Sequence, residues 1–134
     1  MQNSDSAPTG TVTLVFTDIQ GSTMLWERFQ SSFKELLDLH NQIVRDLIGR
    51  HNGYEVKTEG DAFMVAFHHA TDAVAFCLNT QVALHEAPWP DSLLQPEDLK
   101  STAGLSNDGN FRGLRVRMGI HTGEPRCERD PLSG

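Results

Sequence analysis

Hydrophobic and polar residues alternate with two different periods along this chain, and the changes of period mark its elements. The run TVTLVFT at residues 11–17 is β-branched and aromatic, which is typical of a buried strand. Between residues 26 and 48, apolar side chains recur every three or four positions, which predicts one long amphipathic helix before Gly53. The small and polar residues 1–10 that precede the strand predict a flexible lead-in.

A hairpin and a second helix are predicted in the middle of the chain. The segments YEVKT at 54–58 and DAFMVAF at 61–67 are separated only by Glu59 and Gly60, which favours two antiparallel strands. The helix is expected from about residue 71 to about residue 85. Its predicted inward stripe consists of Ala73, Val74, Cys77, Gln81 and Leu84.

Residues 87–112 show little periodicity, and such a long connection predicts either a functional insertion or a mobile loop. Strand character returns at LRVRMGIH, residues 114–121. The order strand, helix, strand, strand, helix, strand is the split βαβ arrangement of ferredoxin-like folds. We therefore expect an α+β domain, an antiparallel sheet with helices on one face.

Composition narrows the class of protein. The chain has 134 residues, 38% of them hydrophobic and 22% charged, which is enough apolar material for one core. Its formal net charge of −7 argues against non-specific binding to nucleic acid phosphates by the whole surface. A polyanionic ligand would have to be bound by metal ions or by backbone N–H donors. The spacing of Cys77 and Cys127 matches no metal or redox motif, which favours a reducing, cytoplasmic setting. No apolar run is long enough to predict membrane contact by this segment.

Asp18 is the first candidate functional residue. It ends the first predicted strand and precedes Gly21 at a helix start, where Ser22 or Thr23 can cap the helix. Backbone N–H groups from Ile19 to Thr23 are expected to point outward there and to hold phosphate oxygens. The alternative is that Asp18 only caps the helix or bonds within the turn.

Asp61 and Lys57 add to that site. Asp61 is predicted to open the central hairpin strand, next to the first strand, so that it meets Asp18 at one edge of the sheet. Two carboxylates brought together repel each other unless divalent cations bridge them, and hard oxygen ligands suit Mg²⁺ or Mn²⁺. Lys57, across the turn, is a donor that matches the N1 acceptor of adenine and not the N1–H of guanine. Its alternative role is that of a solvated strand lysine.

The histidines and the aromatic residues of the first helix are predicted to have no role in the site. His68, His69 and His121 lack a ligand partner at zinc-binding spacing, so we expect them at the surface or in loops. The aromatic residues between positions 26 and 33 have helical spacing and predict a core stripe, not a platform for stacking bases.

Three segments together resemble a known family. LVFTDIQGST at 14–23, YEVKTEGDAFM at 54–64 and GLRVRMGIHTG at 113–123 are similar, in order and spacing, to the catalytic domain of class III nucleotide cyclases. The adenylyl cyclases of fungi are the most similar, followed by those of trypanosomatids. The resemblance covers about residues 11–134, and three motifs in one order are far more specific than any one of them.

The resemblance implies conversion of ATP to 3′,5′-cyclic AMP and pyrophosphate with two Mg²⁺ or Mn²⁺ ions per site. It implies that Asp18 and Asp61 bind the metals together with Ile19, and that Lys57 contacts adenine. The triphosphate-binding turn then consists of Ile19, Gln20, Gly21, Ser22 and Thr23. Gln20 stands where many members carry glutamate, which matters little if only the main chain of that residue contributes.

The resemblance also implies a partner. Family sites form between two cyclase domains, so we expect a homodimer or a paired domain in which the aspartates of one subunit serve the site read by Lys57 of the other. In the family a later segment supplies a second base contact, a ribose-orienting asparagine and a transition-state arginine. We expect this chain to be the N-terminal part of such a domain, with DPLSG at 130–134 starting the connection, and to form no cyclic AMP alone.

Two other hypotheses remain open at this point. The first is a non-catalytic cyclase-like module that binds nucleotide or pairs with an active partner. The second is a different two-metal nucleotidyl-transfer domain, because the DxxGST turn and a later Gly-Asp do not by themselves distinguish the two classes. Detection of cyclic AMP as the product separates a cyclase from the second alternative.

Overall fold

A computed structural model describes residues 8–101, 103–108 and 111–124, and these residues form one α+β unit. The predicted lead-in up to residue 7, Cys127 and the segment 130–134 lie outside the described residues. The elements in chain order are β1 (Val12–Ile19), α1 (Ser22–Phe29), α2 (Ser31–Arg50), β2 (Tyr54–Glu59), β3 (Ala62–Phe67), α3 (Ala70–Glu86), a 3₁₀ turn (Asp91–Leu93), α4 (Pro96–Ser101), β4 (Leu105–Asn107), β5 (Arg112–Leu114) and β6 (Val116–Gly123).

The main sheet has the strand order β2-β3-β1-β6, and every neighbouring pair is antiparallel. Val15 at the centre of β1 lies opposite Val65 of β3 on one side and Ile120 of β6 on the other. This is the order that a split βαβ unit produces, since the hairpin strand β3 enters between β1 and β2. The predicted fold class is therefore confirmed.

The two faces of the sheet differ in what covers them. Side chains alternate along a strand, so Val15, Phe63, Val65 and Phe67 all point to one face, where they are buried against α2 and α3. Residues at the intervening positions point to the other face, which we call the open face. There Phe16 keeps 46% of its surface exposed. Helices on one face leave the opposite face available for a ligand or a partner.

The single long helix predicted between residues 26 and 48 is wrong, because the chain forms two helices that are separated at Gln30. Gln30 has φ 50° and ψ −121°, which no helix can accommodate, and its N–H closes α1 on the carbonyl of Trp26 at 2.8 Å. The aromatic stripe is only partly buried. Phe33 is fully buried, whereas Trp26 is 43% exposed and contacts the Phe33 ring edge-on at 4.6 Å.

Helix α3 matches its predicted extent but not its predicted inward stripe. Val74 is 46% exposed, and Cys77 and Gln81 are only partly buried. The centre of the buried face lies between Ala73 and Phe76, so the predicted stripe was rotated toward the solvent side of the helix. Within the described ranges, none of the helices is long and apolar enough to cross a membrane. The buried residues of α3 are Ala73, Phe76, Thr80 and Leu84.

Residues 87–112, here called the insertion, form an ordered layer wherever the structure describes them. They contribute the 3₁₀ turn, α4 and β4, and β4 pairs with β5 in a small second sheet. The indole N–H of Trp89 donates to the carbonyl of Leu84 at 2.7 Å, and Trp89 is 3% exposed. The described part of the insertion is therefore folded onto the rest of the domain.

The strand predicted at 114–121 is divided into β5 and β6 at Arg115. The N–H of Arg115 donates to the carbonyl of Gly104 and its carbonyl accepts from the N–H of Gln20, both at 2.8 Å. These two bonds replace strand pairing for one residue. The chain therefore leaves the small sheet at Arg115 and enters the main sheet at Val116.

Candidate active site

A cavity of about 560 Å³ lies on the open face, at the end of β1 where the strand leads into α1. The carboxylates, lysine and arginine on its wall belong to three different strands. It contains both polar and apolar groups, which is the usual composition of a small-molecule site. Its lining residues are Phe16, Thr17, Asp18, Lys57, Glu59, Ala62, Phe63, Met64, Arg117, Met118 and Gly119.

Asp18 lies within β1 and does not end it, which corrects the predicted strand boundary. Pairing with β6 continues through Asp18 opposite Arg117 and Ile19 opposite Val116. The alternation of the strand sends the Asp18 carboxylate to the open face, with 41% of the side chain exposed. Asp18 does not cap α1, because no side chain forms a cap hydrogen bond at Gly21.

Arg117 is the partner of Asp18, and the sequence prediction missed it. Its Nε donates to Oδ1 of Asp18 at 2.9 Å and its Nη2 donates to Oδ2 at 2.7 Å, a two-pronged ion pair. Hydrogen bonding to Asp18, followed by the charges of Asp18 and Asp61, raises the pKa of Arg117 above its ordinary value. The one available signal was its position in the alternating run LRVRMGIH.

Asp61 lies in the turn between β2 and β3, one residue before the strand that it was predicted to open. Its Oδ2 accepts the backbone N–H of Ile19 at 2.7 Å. Ile19 follows Asp18 directly, and its own side chain is anchored in the core at 2% exposure. The structure thus brings Asp61 against the main chain beside Asp18, as the sequence predicts.

The turn after β1 differs in detail from the predicted phosphate cradle. The N–H of Ile19 is bound by Asp61, and the N–H of Gln20 is bound by the carbonyl of Arg115, so these two donors do not point to solvent. Gly21 is the N-cap of α1 in a left-handed conformation, φ 65° and ψ 32°, which glycine adopts without strain. Ser22 and Thr23 then begin the helix, where N–H groups have no acceptor within the helix. The donors that remain for an anion are concentrated there.

Lys57 reaches the cavity because of a β-bulge. Glu55 lies opposite Val65 on the helix-covered face, and simple alternation would return Lys57 to that same face. The bulge at Val56 inserts an extra residue, so that Lys57 lies opposite Met64 on the open face. The Lys57 Nζ lies 2.9 Å from Oε1 of Glu59, which also lines the cavity.

Two buried polar groups, His40 and Thr17, lie at or behind the wall of the cavity. His40 on α2 is fully buried, its Nδ1 donates to Oδ1 of Asn41 at 2.8 Å, and its ring lies 5.9 Å from that of Phe63. Burial lowers the pKa of His40 below 6.5, against the opposing effects of the Asn41 hydrogen bond and the Asp61 charge. In the described part of the chain, neither Nε2 of His40 nor the hydroxyl of Thr17 has a hydrogen-bond partner.

The three histidines considered as zinc ligands are not among the residues that line this cavity. His68, His69 and His121 are all exposed, as predicted for surface positions. Across the three described ranges, no three His, Cys, Asp or Glu side chains come together as a metal-binding group. Metal binding at Asp18 and Asp61 therefore has to draw further oxygens from the main chain or from a ligand.

The sequence matches a family model described as the adenylate and guanylate cyclase catalytic domain, over residues 4–130. It is 44% identical over 126 residues to an adenylate cyclase of Neurospora crassa, and 46% identical over 126 residues to one of Mycosarcoma maydis. Each match covers 94% of this chain, but only 6% and 5% of the two fungal proteins.

Solved structures agree with the sequence matches. An adenylate cyclase of Trypanosoma brucei, solved in its monomeric state, superimposes with a TM-score of 0.79 and 32% identity. The similarity covers 98% of this chain and 65% of that one, so the chain spans about two thirds of the solved domain. The match to the family model, the identity to fungal adenylate cyclases and the shared fold together show that the chain belongs to the adenylate and guanylate cyclase catalytic-domain family.

Proposed function

We propose that this chain carries the metal-binding and triphosphate-binding part of an adenylate cyclase domain, which converts ATP to 3′,5′-cyclic AMP and pyrophosphate. The observation that carries the proposal is the position of Asp61, whose carboxylate binds the N–H of Ile19 beside Asp18, next to a cavity that also contains Lys57. Asp18 and Lys57 line the cavity, while Asp61 and the start of α1 lie beside it along the chain from Ile19. Together these groups match the chemistry of a metal-bound nucleoside triphosphate.

The residues present suit two Mg²⁺ or Mn²⁺ ions. Asp18 supplies hard anionic oxygens, and in the structure both of them are neutralised by the guanidinium of Arg117, a sign that this position needs positive charge. Asp18 and Asp61 would hold the ions together with a main-chain oxygen of Ile19. When bound, such ions lower the pKa of the ribose 3′-hydroxyl and neutralise charge on the phosphates.

Arg117 then has a second role in the proposal. When cations neutralise Asp18, the electrostatic attraction that holds the Arg117 guanidinium 2.7 Å from that carboxylate is weakened. The guanidinium remains at the rim of the same cavity, within reach of an anionic triphosphate, and a planar fork suits phosphate oxygens. The Arg117 side chain thus neutralises Asp18 in the absence of metal, and this ion pair breaks when the metal-bound nucleotide binds.

The start of α1 supplies the neutral part of the triphosphate site. Gly21 turns the chain so that the N–H groups of Ser22 and Thr23 are exposed at a helix N-terminus, where the helix dipole favours anions. The Asp61–Ile19 and Gln20–Arg115 bonds fix the residues just before them. A fixed turn lets these donors hold phosphate oxygens without reorganising.

Lys57 is proposed to select the base. It lies on the open face opposite Met64, so its side chain and an apolar surface line the same cavity. A base that binds there would compete with Glu59 for the ammonium group. An ammonium group can donate to N1 of adenine but is repelled by the N1–H of guanine. The proposed substrate is therefore ATP.

A second copy of the chain, or a paired cyclase domain, is the proposed partner. The cavity lies on the one face of the sheet that the described helices do not cover, and Phe16 at its edge is nearly half exposed. A partner that packs on this face would exclude water from the cavity and bury Phe16. Both effects strengthen charge interactions with the nucleotide.

Calorimetric titration of the chain with ATP in the presence of Mn²⁺ tests the proposal. The wild-type chain is expected to bind, and Asp18→Asn should weaken binding by about 100-fold because a metal-ligand charge is lost. Asp46→Asn is the matched control, since it removes an exposed carboxylate that pairs with Arg50 on the outer side of α2. Equal affinities of wild type and Asp18→Asn would refute the metal site.

Product identity distinguishes the proposal from its alternatives. In a chain extended to the full length of a cyclase catalytic domain, cyclic AMP is expected from ATP. A different phosphoryl product would indicate another two-metal nucleotidyl-transfer domain. ATP binding with no product in that longer chain would instead indicate a nucleotide-binding module.

A further inference from the structure

The insertion contacts the turn after β1 directly. Gly104 packs so closely on Gln20 that a Cβ at position 104 would collide with the Gln20 carbonyl oxygen and lie 2.7 Å from Cδ1 of Leu25. Arg115 links the same two segments, since its N–H donates to Gly104 and its carbonyl accepts from Gln20, both at 2.8 Å. Three segments distant in sequence therefore meet through their main chains at the turn.

A second connection joins the insertion to α1. Nη2 of Arg28 donates to Oδ1 of Asp98 at 2.8 Å, and Asp98 is only 6% exposed. The other Asp98 oxygen accepts the N–H of Gln95 at 3.3 Å, which fixes the carboxylate at the start of α4. Only the Asp98 end of this pair is shielded from solvent, since the Arg28 side chain is 44% exposed. The pair ties the helix that begins at the turn to α4.

The apolar contacts agree with the polar ones. Ile19 and Leu25, which flank the turn, share one buried cluster with Leu94, Leu105 and Leu114 from the insertion and β5. Each of the five is less than 5% exposed. The turn therefore lies on a core that the insertion partly supplies, and it cannot shift without disturbing that core.

We propose that the insertion is a positioning element for the triphosphate-binding turn, and that Gly104 and Asp98 are its positioning residues. This inference rests on the proposed function of the turn. Gly104 fixes the position of the Gln20 main chain within the turn, and Asp98 fixes the direction of α1 through Arg28. Together they hold the N–H groups at the start of α1 where phosphate oxygens bind, so that binding needs no rearrangement.

Gly104→Ala tests the first contact, because it adds one methyl group against the Gln20 carbonyl and changes no charge. The probe is Mn²⁺ with inorganic tripolyphosphate, which engages the turn and has no base for Lys57 to contact. Calorimetric titration at a temperature well below the unfolding midpoint is expected to show about tenfold weaker binding, a loss comparable to one misplaced charged hydrogen bond.

Gly53→Ala is the matched control for packing damage. A Cβ there would lie 2.9 Å from the Phe67 ring and 3.0 Å from Val65, in the core at the opposite end of β3 from the turn. It is expected to lower the unfolding midpoint while leaving tripolyphosphate affinity unchanged. The comparison separates a displaced turn from general loss of stability.

A double-mutant cycle with Arg28→Gln and Asp98→Asn tests the second contact. Each single variant is expected to weaken tripolyphosphate binding several-fold. The affinity of the double variant should be no lower than that of the single variant that binds less tightly, since both substitutions remove the same ion pair. This cycle also keeps the proposal testable if Gly104→Ala fails to fold.

Two outcomes would overturn the inference, and they are distinguishable. If wild type, Gly104→Ala and the Asp98 variants bind tripolyphosphate equally, the insertion does not position the turn, although the proposed function stands. If the wild-type chain binds no tripolyphosphate with Mn²⁺, the proposed function of the turn fails and the inference fails with it.

Discussion

The backbone N–H of Ile19 donates to Oδ2 of Asp61 at 2.7 Å, which joins the end of β1 to the β2–β3 turn. The bond leaves the second oxygen of Asp61 for another partner. It also places one carboxylate beside the main chain of the residue that follows Asp18. Asp61 therefore has a structural role and a proposed metal-binding role, and the two can be separated.

Asp61→Asn and Asp61→Ala are expected to differ in stability and to agree in metal binding. The asparagine amide oxygen can still accept the N–H of Ile19, so this variant should unfold at nearly the wild-type midpoint. Alanine leaves that half-buried N–H without its acceptor, at a cost of about 1–3 kcal/mol. Both variants should lose Mn²⁺-dependent ATP binding, measured by calorimetry beside urea unfolding. Retained Mn²⁺ affinity in Asp61→Asn would restrict Asp61 to the structural role.

The sequence predicted the strands, and it predicted that Asp18 and Asp61 lie near one edge of the sheet, because these features depend on local patterns. The run before Asp18 is mostly β-branched and aromatic, and the spacing of the hairpin leaves only a short turn for Asp61. Arg117 was missed because its pairing with Asp18 depends on the β1–β6 register, which joins residues 99 positions apart. No local pattern contains that register.

Other differences arise where one residue breaks a period without a recognisable signal. The helix is divided at Gln30 and the strand is shifted at Val56, and neither residue is a glycine or a proline. The residue types therefore gave no reason to predict a break at either position. The insertion shows weak periodicity because its buried side chains, such as Trp89 and Leu105, come from short elements that each contribute one or two residues to the core.

Lys57→Glu is expected to shift nucleotide preference from ATP toward GTP. A carboxylate accepts from the N1–H and amino group of guanine, which an ammonium group cannot do, and a partial change of about tenfold in the affinity ratio is expected. Lys34→Glu is the matched control, because it makes the same charge change on an exposed part of α2. Competition binding of the two nucleotides with Mn²⁺ measures the ratio. An unchanged ratio of ATP affinity to GTP affinity would show that Lys57 does not contact the base.

The buried His40 should make the fold acid-sensitive. Since burial lowers the pKa of His40 in the folded protein, the unfolded chain takes up its proton first as the pH falls below 6.5. Stability should be complete above that pH and should decline below it by up to about 1.4 kcal/mol per pH unit, until the folded pKa is reached. Arg45 remains charged throughout, because its hydrogen bond to Glu55 raises its pKa further above this range.

His40→Leu should remove this part of the acid sensitivity. Urea unfolding between pH 5 and pH 8 measures it, with His68→Leu as the control at an exposed position. If His40→Leu and wild type lose stability in parallel between pH 7 and pH 5, the buried imidazole is not the source. The carboxylates of the fold would then account for the decline.

Gly113→Ala and Gly60→Ala should destabilise the fold to different extents. Both glycines have positive φ, 104° and 59°, but only Gly113 also faces a neighbour, since a Cβ there would overlap the Trp89 indole. Gly60→Ala should therefore cost about 1 kcal/mol of backbone strain. Gly113→Ala should cost several times more, because the indole that donates to Leu84 has to move. Equal unfolding free energies of the two variants in urea would show that the Trp89 indole can move aside at little cost.

Mixing two variants that each weaken ATP binding can show whether one site uses residues of two chains. Asp18 and Lys57 line the same cavity of one chain, yet a site formed between two copies would take the aspartate from one and the lysine from the other. In an equimolar mixture of Asp18→Asn and Lys57→Glu, half of the randomly formed dimers are mixed, and each of these has one site with both residues intact. Tight ATP binding with Mn²⁺ is therefore expected at about a quarter of all sites, although neither variant alone binds tightly. A mixture that binds no better than the separate variants would place both residues of a site in the same chain.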